Sequence, residues 1–151
     1  MNESQSMSGQ KREPRYGYQD ATFQAAGGEP GIRRLVDDFY KIMSSDPRFR
    51  RIFDWHPEAE LAADKLARFL CGWMGGPKRY REKYGAINLP GAHGHLPITG
   101  VEKNMWLDCM REALELQDYP EDLKQYLMVQ LSVPAERIRR RCSGPRPATM
   151  T

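Results

Sequence analysis

The sequence predicts an all-α domain, and three observations lead to this prediction. Apolar residues recur at spacings of three and four over several segments, which is the period of a helix with one buried face. Glycine and proline residues separate these segments. No segment alternates apolar and polar residues between hairpin turns, as a strand would. A chain of 151 residues fits one domain, whose core needs no disulfide bonds.

Four helical segments are predicted in the first half of the chain. Residues 20–26 form a short helix that ends at two glycines, and residues 30–43 carry an apolar face at helical spacing. Asp46 is the N-cap of a short helix that ends near Phe53. The fourth helix covers residues 57–74. Its apolar face is formed by Ala62, Leu66, Phe69 and Trp73.

Three further helices are predicted in the second half. Residues 78–84 can add a short helix. Thr99 and Glu102 have the spacing of a capping box, in which each side chain accepts a hydrogen bond from the backbone near the other, at the start of a longer helix. The last helix starts near residue 120. Pro134 is expected to kink or end it, because proline lacks the amide hydrogen that a helix interior uses.

Charge and cysteine content narrow the functional classes. The net charge is +3 with a pI of about 8.8, and much of the basic excess lies near the two ends, where we expect it to be solvated. No apolar run reaches the ~20 residues of a membrane span, and the first residues lack the apolar core of a signal peptide. Three cysteines without a close pair fit a reducing compartment. We therefore expect a cytoplasmic protein with no membrane or nucleic-acid partner.

Two of the three histidines, His93 and His95, lie in a loop rich in glycine and proline. Phosphate-binding, dinucleotide-binding and serine-nucleophile motifs are absent from the sequence. Aromatic side chains on several helices together with a loop histidine favour a haem crevice, because a histidine commonly holds haem iron between apolar walls. Two alternatives stay open: a cofactor-free helical interaction module with basic ends, and a zinc site that uses His56, His93 and His95.

Four blocks of the sequence carry a resemblance to a known family. They are Phe23 through Gly27-Gly28, the pair Phe39-Tyr40, Phe69 through Gly75-Gly76-Pro77 and Tyr80, and His93 thirteen residues before Trp106. In this order and at these spacings, the chain resembles the truncated haemoglobins of group II over residues 23–133. The resemblance implies a two-over-two helical sandwich. We expect this globin domain over residues 18–142, with a flexible extension over residues 1–17 and a flexible tail over residues 143–151.

The resemblance also implies roles around a bound haem b. His93 would be the iron ligand, because it precedes Trp106 by thirteen residues, the spacing between ligand and tryptophan in this family. His95 does not have this spacing. Tyr40 and Trp106 would be distal hydrogen-bond donors, and the small Ala62 would leave the entrance open to diatomic ligands. The other implied haem contacts are Phe53, Leu66 and Phe69 as apolar walls, and Lys65 and Tyr80 near the propionates.

The function that the resemblance implies is reversible binding of oxygen and other diatomic ligands, such as nitric oxide and carbon monoxide. Two hydrogen-bond donors would slow oxygen release, which makes bulk transport less suitable than redox chemistry on the bound ligand. Nitric oxide dioxygenase and peroxidase-like activities are the two reactions considered, and whether the protein is an enzyme stays open. The chain has no flavin or nicotinamide domain, so a reductase would be external. The sequence leaves the oligomeric state open.

Overall fold

A computed structural model describes residues 16–56, 58–86, 96 and 98–143 of the chain. Within these ranges the structure is helical and has no strand, which confirms the predicted all-α class. The helices are α1 (Ala21–Ala25), α2 (Gly28–Ser45), a 3₁₀ helix (Pro47–Phe49), α3 (Arg50–Phe53), α4 (Ala59–Trp73), α5 (Arg79–Tyr84), α6 (Gly100–Glu115) and α7 (Glu121–Ser143). The predicted flexible ends and the loop with His93 and His95 lie outside the described residues, apart from a few residues at their borders.

Two helix pairs form the core. Helix α2 packs against α4, helix α6 packs against α7, and the contact between α2 and α6 joins the two pairs. This is the two-over-two arrangement that the resemblance implies. Cys71 and Cys109 are fully buried in this core as small apolar side chains. Among the described helices, none combines the length and the apolar character that a membrane crossing requires.

Local capping signals predicted two helix starts correctly. The Asp46 carboxylate accepts a hydrogen bond from the Arg48 amide at 2.9 Å, at the start of the 3₁₀ helix. Thr99 Oγ1 accepts one from the Val101 amide at 3.2 Å, and Glu102 Oε1 accepts one from the Thr99 amide at 2.8 Å. The capping box is therefore confirmed, and it fixes the first turn of α6.

The prediction that Pro134 could end the last helix is wrong. Helix α7 continues through Pro134 to Ser143, although proline cannot donate the usual backbone hydrogen bond. Contacts on both sides of the proline hold the helix: Leu131 is buried in the core, and Glu136 forms an ion pair with Lys103 of α6 at 3.0 Å. Tertiary packing thus overrides the local cost of one proline.

The short helix α5 is held in place by Asp64 of α4. The Tyr84 hydroxyl donates to the Asp64 carboxylate at 2.6 Å, and Lys83 donates to it at 3.0 Å. Arg33 of α2 and Arg68 of α4 also pair with this carboxylate, at 2.9 Å and 3.0 Å. Although partial burial acts to raise it, these hydrogen bonds hold the pKa of Asp64 well below its ordinary value. The carboxylate therefore ties together three helices, one of which has only six residues.

The turn after α4 depends on Gly75. This residue has a φ of +92°, and a Cβ there would lie 1.9 Å from the carbonyl oxygen of Gln19. Both the left-handed backbone and the close approach of the segment before α1 require a residue without a side chain. Gly75 thereby fixes how α1 docks on the end of α4, where the Phe23 amide donates to the Met74 carbonyl at 3.0 Å.

We expect Gly75→Ala to lower the free energy of unfolding by more than about 2 kcal/mol, because it adds backbone strain and a steric clash. Urea unfolding followed by far-ultraviolet circular dichroism measures the change. Gly100→Ala is the matched control, since nothing lies within 4 Å of a Cβ at that position. The control is expected to change stability by no more than about 0.5 kcal/mol. Equal effects of the two substitutions would contradict this account of the turn.

Candidate functional site

A cavity of about 420 Å³ lies between α4 and α7 and is closed on one side by α6. Its volume falls in the range of roughly 300–1,000 Å³ that is usual for small-molecule sites. Protein interiors are normally close-packed, so a space of this size lined by large side chains is a candidate ligand site. The wall contributed by α7 consists of Leu131, Pro134, Ala135 and Ile138.

Most of the predicted site residues meet at this cavity. The predicted residues that line it are Tyr40, Ala62, Lys65, Leu66, Phe69, Tyr80 and Trp106. They come from α2, α4, α5 and α6, which are separated by up to half of the chain. The structure therefore brings together residues that the sequence connected only by resemblance.

Phe53 and His93 are not among the described residues that line the cavity. Phe53 does not line it; the residues of its segment that do are Ile52, Trp55 and His56. His93, like His95, lies outside the described residues. Leu96 and Ile98, which follow that loop, do line the cavity.

The α7 wall was missed by reasoning from the sequence, although a signal for it exists. Leu131, Pro134, Ala135 and Ile138 recur at spacings of three, one and three, which places them on one helix face. Because the predicted helix ended at Pro134, Leu131 was assigned to the helix whereas Ala135 and Ile138 were assigned to the segment after it, and the common face was not recognised. Continuing the helical period through the proline would have revealed the wall.

Tyr40 and Trp106 are oriented by one buried aromatic ring. The Phe39 ring meets the Tyr40 ring edge-on at 5.1 Å and the Trp106 ring at 5.2 Å. Such edge-to-face pairs favour a defined mutual orientation. Phe39 itself is fully buried, so both neighbours pack against a rigid surface on one side and the cavity on the other.

Both side chains carry a hydrogen-bond donor that has no acceptor within the described part of the chain. Among the described residues, no group accepts a hydrogen bond from the Tyr40 hydroxyl or the Trp106 indole N–H. Burial raises the pKa of Tyr40 above its ordinary value, so its hydroxyl keeps its proton at neutral pH. Donors in an apolar cavity gain free energy from a polar ligand, because otherwise their hydrogen-bonding capacity is lost on burial.

His56 lies beside Tyr40 on the same cavity wall. The two ring centroids are 5.6 Å apart, and the rings meet edge-on at 78°. His56 Nδ1 lies 2.8 Å from the carbonyl oxygen of Ile52. Because a carbonyl oxygen only accepts hydrogen bonds, this contact assigns a proton to Nδ1.

A buried carboxylate connects α6 to α3. Glu102 is 6% exposed, and its Oε2 accepts a hydrogen bond from Arg51 Nε at 2.6 Å. The Arg51 guanidinium in turn lies over the Trp55 ring, 5.8 Å from its centroid. Hydrogen bonds from the Thr99 side chain, and then from its backbone and from Arg51, lower the pKa of Glu102 to about 2 despite burial. The start of α6, with Trp106 one turn later, is thus fixed to α3.

Two lysines are among the residues that line the cavity. Lys65 is exposed and lies over the Tyr84 ring at 5.3 Å, and Lys103 pairs with Glu136 at the α7 side. Tyr80 also lines the cavity. Apolar walls on α4 and α7 and basic side chains in the lining suit a flat apolar group that carries carboxylates, which is the chemistry of haem. No group of three potential metal ligands is found within the part of the chain that the structure describes.

Comparison with known proteins agrees with this geometry. The family model described as bacterial-like globin matches residues 21–139. The group 2 truncated haemoglobin YjbI of Bacillus subtilis (strain 168) is 31% identical over 116 residues, covering 77% of this chain and 86% of the relative. The chain belongs to the bacterial-like globins, as a group II truncated haemoglobin. The resemblance seen in the sequence is confirmed.

Solved structures of other truncated haemoglobins share the fold. The group II 2-on-2 haemoglobin of the plant pathogen Agrobacterium tumefaciens has a TM-score of 0.74 at 28% identity, covering 78% of this chain and 92% of that chain. The group II truncated haemoglobin of Bacillus anthracis has a TM-score of 0.73 at 27% identity, covering 93% of this chain and 100% of that chain. As a truncated haemoglobin, the protein has a function based on haem and on small gaseous ligands such as oxygen.

We expect Glu102→Gln to lower the free energy of unfolding by about 1–3 kcal/mol at pH 7, because it removes a charged acceptor from Thr99 and Arg51. The pKa of Glu102 is depressed in the folded state, so its stabilisation is complete above the ordinary value of about 4.3. It is lost as the pH falls toward 2. The difference in unfolding free energy between parent and variant should therefore shrink between about pH 4 and pH 2.

Glu115→Gln is the control on the same helix, since the Glu115 side chain is 58% exposed and pairs only with Lys124 among the described residues. Urea unfolding at a series of pH values measures both variants. A Glu102→Gln effect that stays constant down to pH 2, or that matches the control at pH 7, would be inconsistent with a stabilising buried carboxylate.

Proposed function

We propose that this truncated haemoglobin holds haem b in the cavity with His93 as the axial ligand, and binds oxygen reversibly beside Tyr40 and Trp106. The observation that supports this most strongly is a pair of donors, Tyr40 Oη–H and Trp106 Nε1–H, that have no acceptor among the described residues and line a mostly apolar cavity. Such donors are matched to a small ligand that carries partial negative charge.

The chain geometry supports His93 as the ligand. Leu96 lines the cavity and follows His93 by three residues, a stretch that spans at most about 11 Å of chain. A side chain at position 93 is therefore within reach of the cavity. Leu96 and Ile98, which line the cavity next to that loop, would contact the haem together with His93.

Bound haem would supply an iron centre that takes diatomic ligands and exchanges single electrons. The surrounding residues have separate tasks. Tyr40 and Trp106 donate hydrogen bonds to the ligand, and Leu66 and Phe69 exclude water from its surroundings. Lys65 and Tyr80 engage the propionate carboxylates, since a partly exposed cation pairs well with a carboxylate. The small side chain of Ala62, on α4, leaves space through which a diatomic ligand can enter the cavity.

We further propose detoxification of nitric oxide or peroxide as the use of this binding. Two donors that hold oxygen slow its release, and slow release suits a reaction on the bound ligand better than delivery. Oxidation of nitric oxide to nitrate by bound oxygen leaves a deficit of one electron in each turnover. The proposal therefore includes a separate reductase as the source of that electron.

Tyr40→Phe and Trp106→Leu should each speed oxygen release by about 2–10-fold, which is the effect of losing one hydrogen bond of 0.5–1.5 kcal/mol. Stopped-flow displacement of oxygen by carbon monoxide measures the rate. Tyr119→Phe is the matched control, because the Tyr119 hydroxyl donates to the Ala26 carbonyl at 2.8 Å and does not line the cavity. The proposal fails if neither cavity variant releases oxygen faster than the parent.

The cofactor-free interaction module is separated from this proposal by absorption spectroscopy. Purified protein that carries a Soret band, or acquires one with a stoichiometric amount of hemin, supports the haem site. Protein that stays colourless after exposure to hemin supports the alternative and overturns the proposed function.

A further inference from the structure

Helix α5 borders the cavity and also carries exposed basic side chains. Its Tyr80 is one of the residues that line the cavity. Lys78, which is the N-cap of this helix, and Arg81 and Lys83 are exposed. An α-helix with its side chains is about 10–12 Å across, so a molecule that covers the exposed side of α5 lies within about one helix diameter of the cavity.

The charges of α5 are unbalanced. The helix and its N-cap contain four cations and one carboxylate within six residues. Arg79 uses its charge within the fold, where it pairs with Glu82 at 3.1 Å and with Glu29 of α2 at 3.2 Å. Among the described residues, no carboxylate forms an ion pair with Lys78 or Arg81. Both cations are therefore available to an outside partner.

The neighbouring helix does not offset this excess. Asp64 of α4 pairs with Lys83 at 3.0 Å, but it also pairs with Arg33 at 2.9 Å and with Arg68 at 3.0 Å. One carboxylate is thus shared by three cations. Lys65, the residue after Asp64, lines the cavity and adds a further exposed cation. We call the exposed cations Lys65, Lys78, Arg81 and Lys83 the α5 surface.

Exposed carboxylates border the cavity at a different place. Residues 54–62 contain Asp54, Glu58 and Glu60, all of them exposed, and no lysine or arginine. Ala62, from the same stretch, lines the cavity. Cations and carboxylates are therefore segregated around the cavity. Such segregation attracts a partner of opposite charge and also fixes its orientation.

We propose that the α5 surface docks an acidic protein that carries single electrons on a flavin or an iron–sulfur cluster, and that this protein returns ferric haem to the ferrous state. The inference rests on the proposed haem site and on its need for one electron in each turnover. The docked donor is oxidised by one electron and the iron is reduced by one. No bond forms or breaks between the two proteins, and no atom is transferred.

The mixture of charges favours a folded protein over a polyphosphate such as DNA. Glu29, Asp64 and Glu82 lie among the cations and would repel a continuous run of phosphates. A protein surface carries both signs of charge, so its own basic groups can lie opposite these carboxylates. The net positive excess then selects a partner whose surface is acidic on balance.

The first test is calorimetric titration of the haem-loaded protein with oxidised flavodoxin, which is an acidic protein of this class. The double variant Lys78→Glu/Arg81→Glu reverses the two cations that pair with no described carboxylate. We expect it to weaken binding by about tenfold or more at about 0.1 M salt, and by less than about twofold at about 1 M salt. The difference arises because the Debye length falls from about 10 Å to about 3 Å.

The matched control is Arg137→Glu/Arg141→Glu, which changes the net charge by the same amount. Both arginines are exposed on α7, in the other basic stretch of the described chain, and neither forms an ion pair with a described carboxylate. We expect this control to weaken binding by less than about threefold at about 0.1 M salt, because remote charges are screened. Equal weakening by the two double variants would overturn the inference, since total charge and not the α5 surface would then control binding.

The second test is stopped-flow reduction of the ferric protein by flavodoxin hydroquinone, which becomes the semiquinone as it gives up one electron. Reversal of charge at Lys78 and Arg81 should lower the second-order rate constant by the same factor as the affinity. The rate at saturating flavodoxin should change by less than about twofold, because docking is impaired and electron transfer within the complex is not. An unchanged second-order rate constant would contradict the proposed docking surface.

The two proposals fail in different ways. If the parent does not take up hemin, the proposed haem site is wrong. If hemin is taken up with a normal spectrum but flavodoxin does not bind, or a short DNA duplex binds the α5 surface more tightly than flavodoxin does, the haem site stands and the proposed partner is wrong.

Discussion

The edge-to-face contacts of Phe39 with Tyr40 and Trp106 hold the site together. Phe39 is fully buried at the interface of α2 and α6, the contact that joins the two helix pairs. Its ring gives both donors a rigid surface, and its carbonyl accepts a hydrogen bond from Cys109 Sγ at 3.4 Å. The same residue thus belongs to the core and sets the geometry of the cavity wall, so core packing and ligand binding depend on one another.

Helix α4 also serves both the core and the cavity, and it has apolar residues on two faces. Ala67 and Cys71 are buried in the core, whereas Leu66 and Phe69 are partly exposed where they line the cavity; the buried Leu70 lies between the two and also lines the cavity. A helix that only closed a core would bury a single stripe. Here a second stripe faces the cavity. Asp64, on the same helix, ties α4 to α2 through Arg33 and to α5 through Lys83 and Tyr84.

The sequence predicted features whose causes are local. Capping at Asp46 and Thr99 follows from the first turn of each helix, and the glycines after α4 mark a turn that only glycine adopts. Long-range features were not accessible in this way. The Arg51–Glu102 ion pair joins residues 51 positions apart, and a polar pair at that separation has no signature in one sequence.

The errors concern places where tertiary contacts compete with local rules. Pro134 lacks an amide hydrogen, yet helix α7 continues past this residue, because its packing against α6 stabilises the helical conformation on both sides of the proline. The turn after α3, a helix of only four residues, presents Trp55 and His56 to the cavity, whereas the sequence singled out only Phe53 in this segment as a haem contact. Helical spacing cannot specify the side-chain directions of an irregular turn. The sequence therefore indicated only that His56 lies in a turn and could be a zinc ligand, and not that it faces the cavity.

The central claim is that His93 bonds to iron in this cavity, and imidazole rescue of His93→Gly tests it most directly. Resonance Raman spectra of the ferrous, ligand-free protein report the bond between iron and the axial histidine. The account predicts that this band disappears in His93→Gly, returns at a shifted frequency when imidazole is added, and is unchanged in His95→Gly. A His93→Gly protein that keeps the parent band without added imidazole would contradict the account.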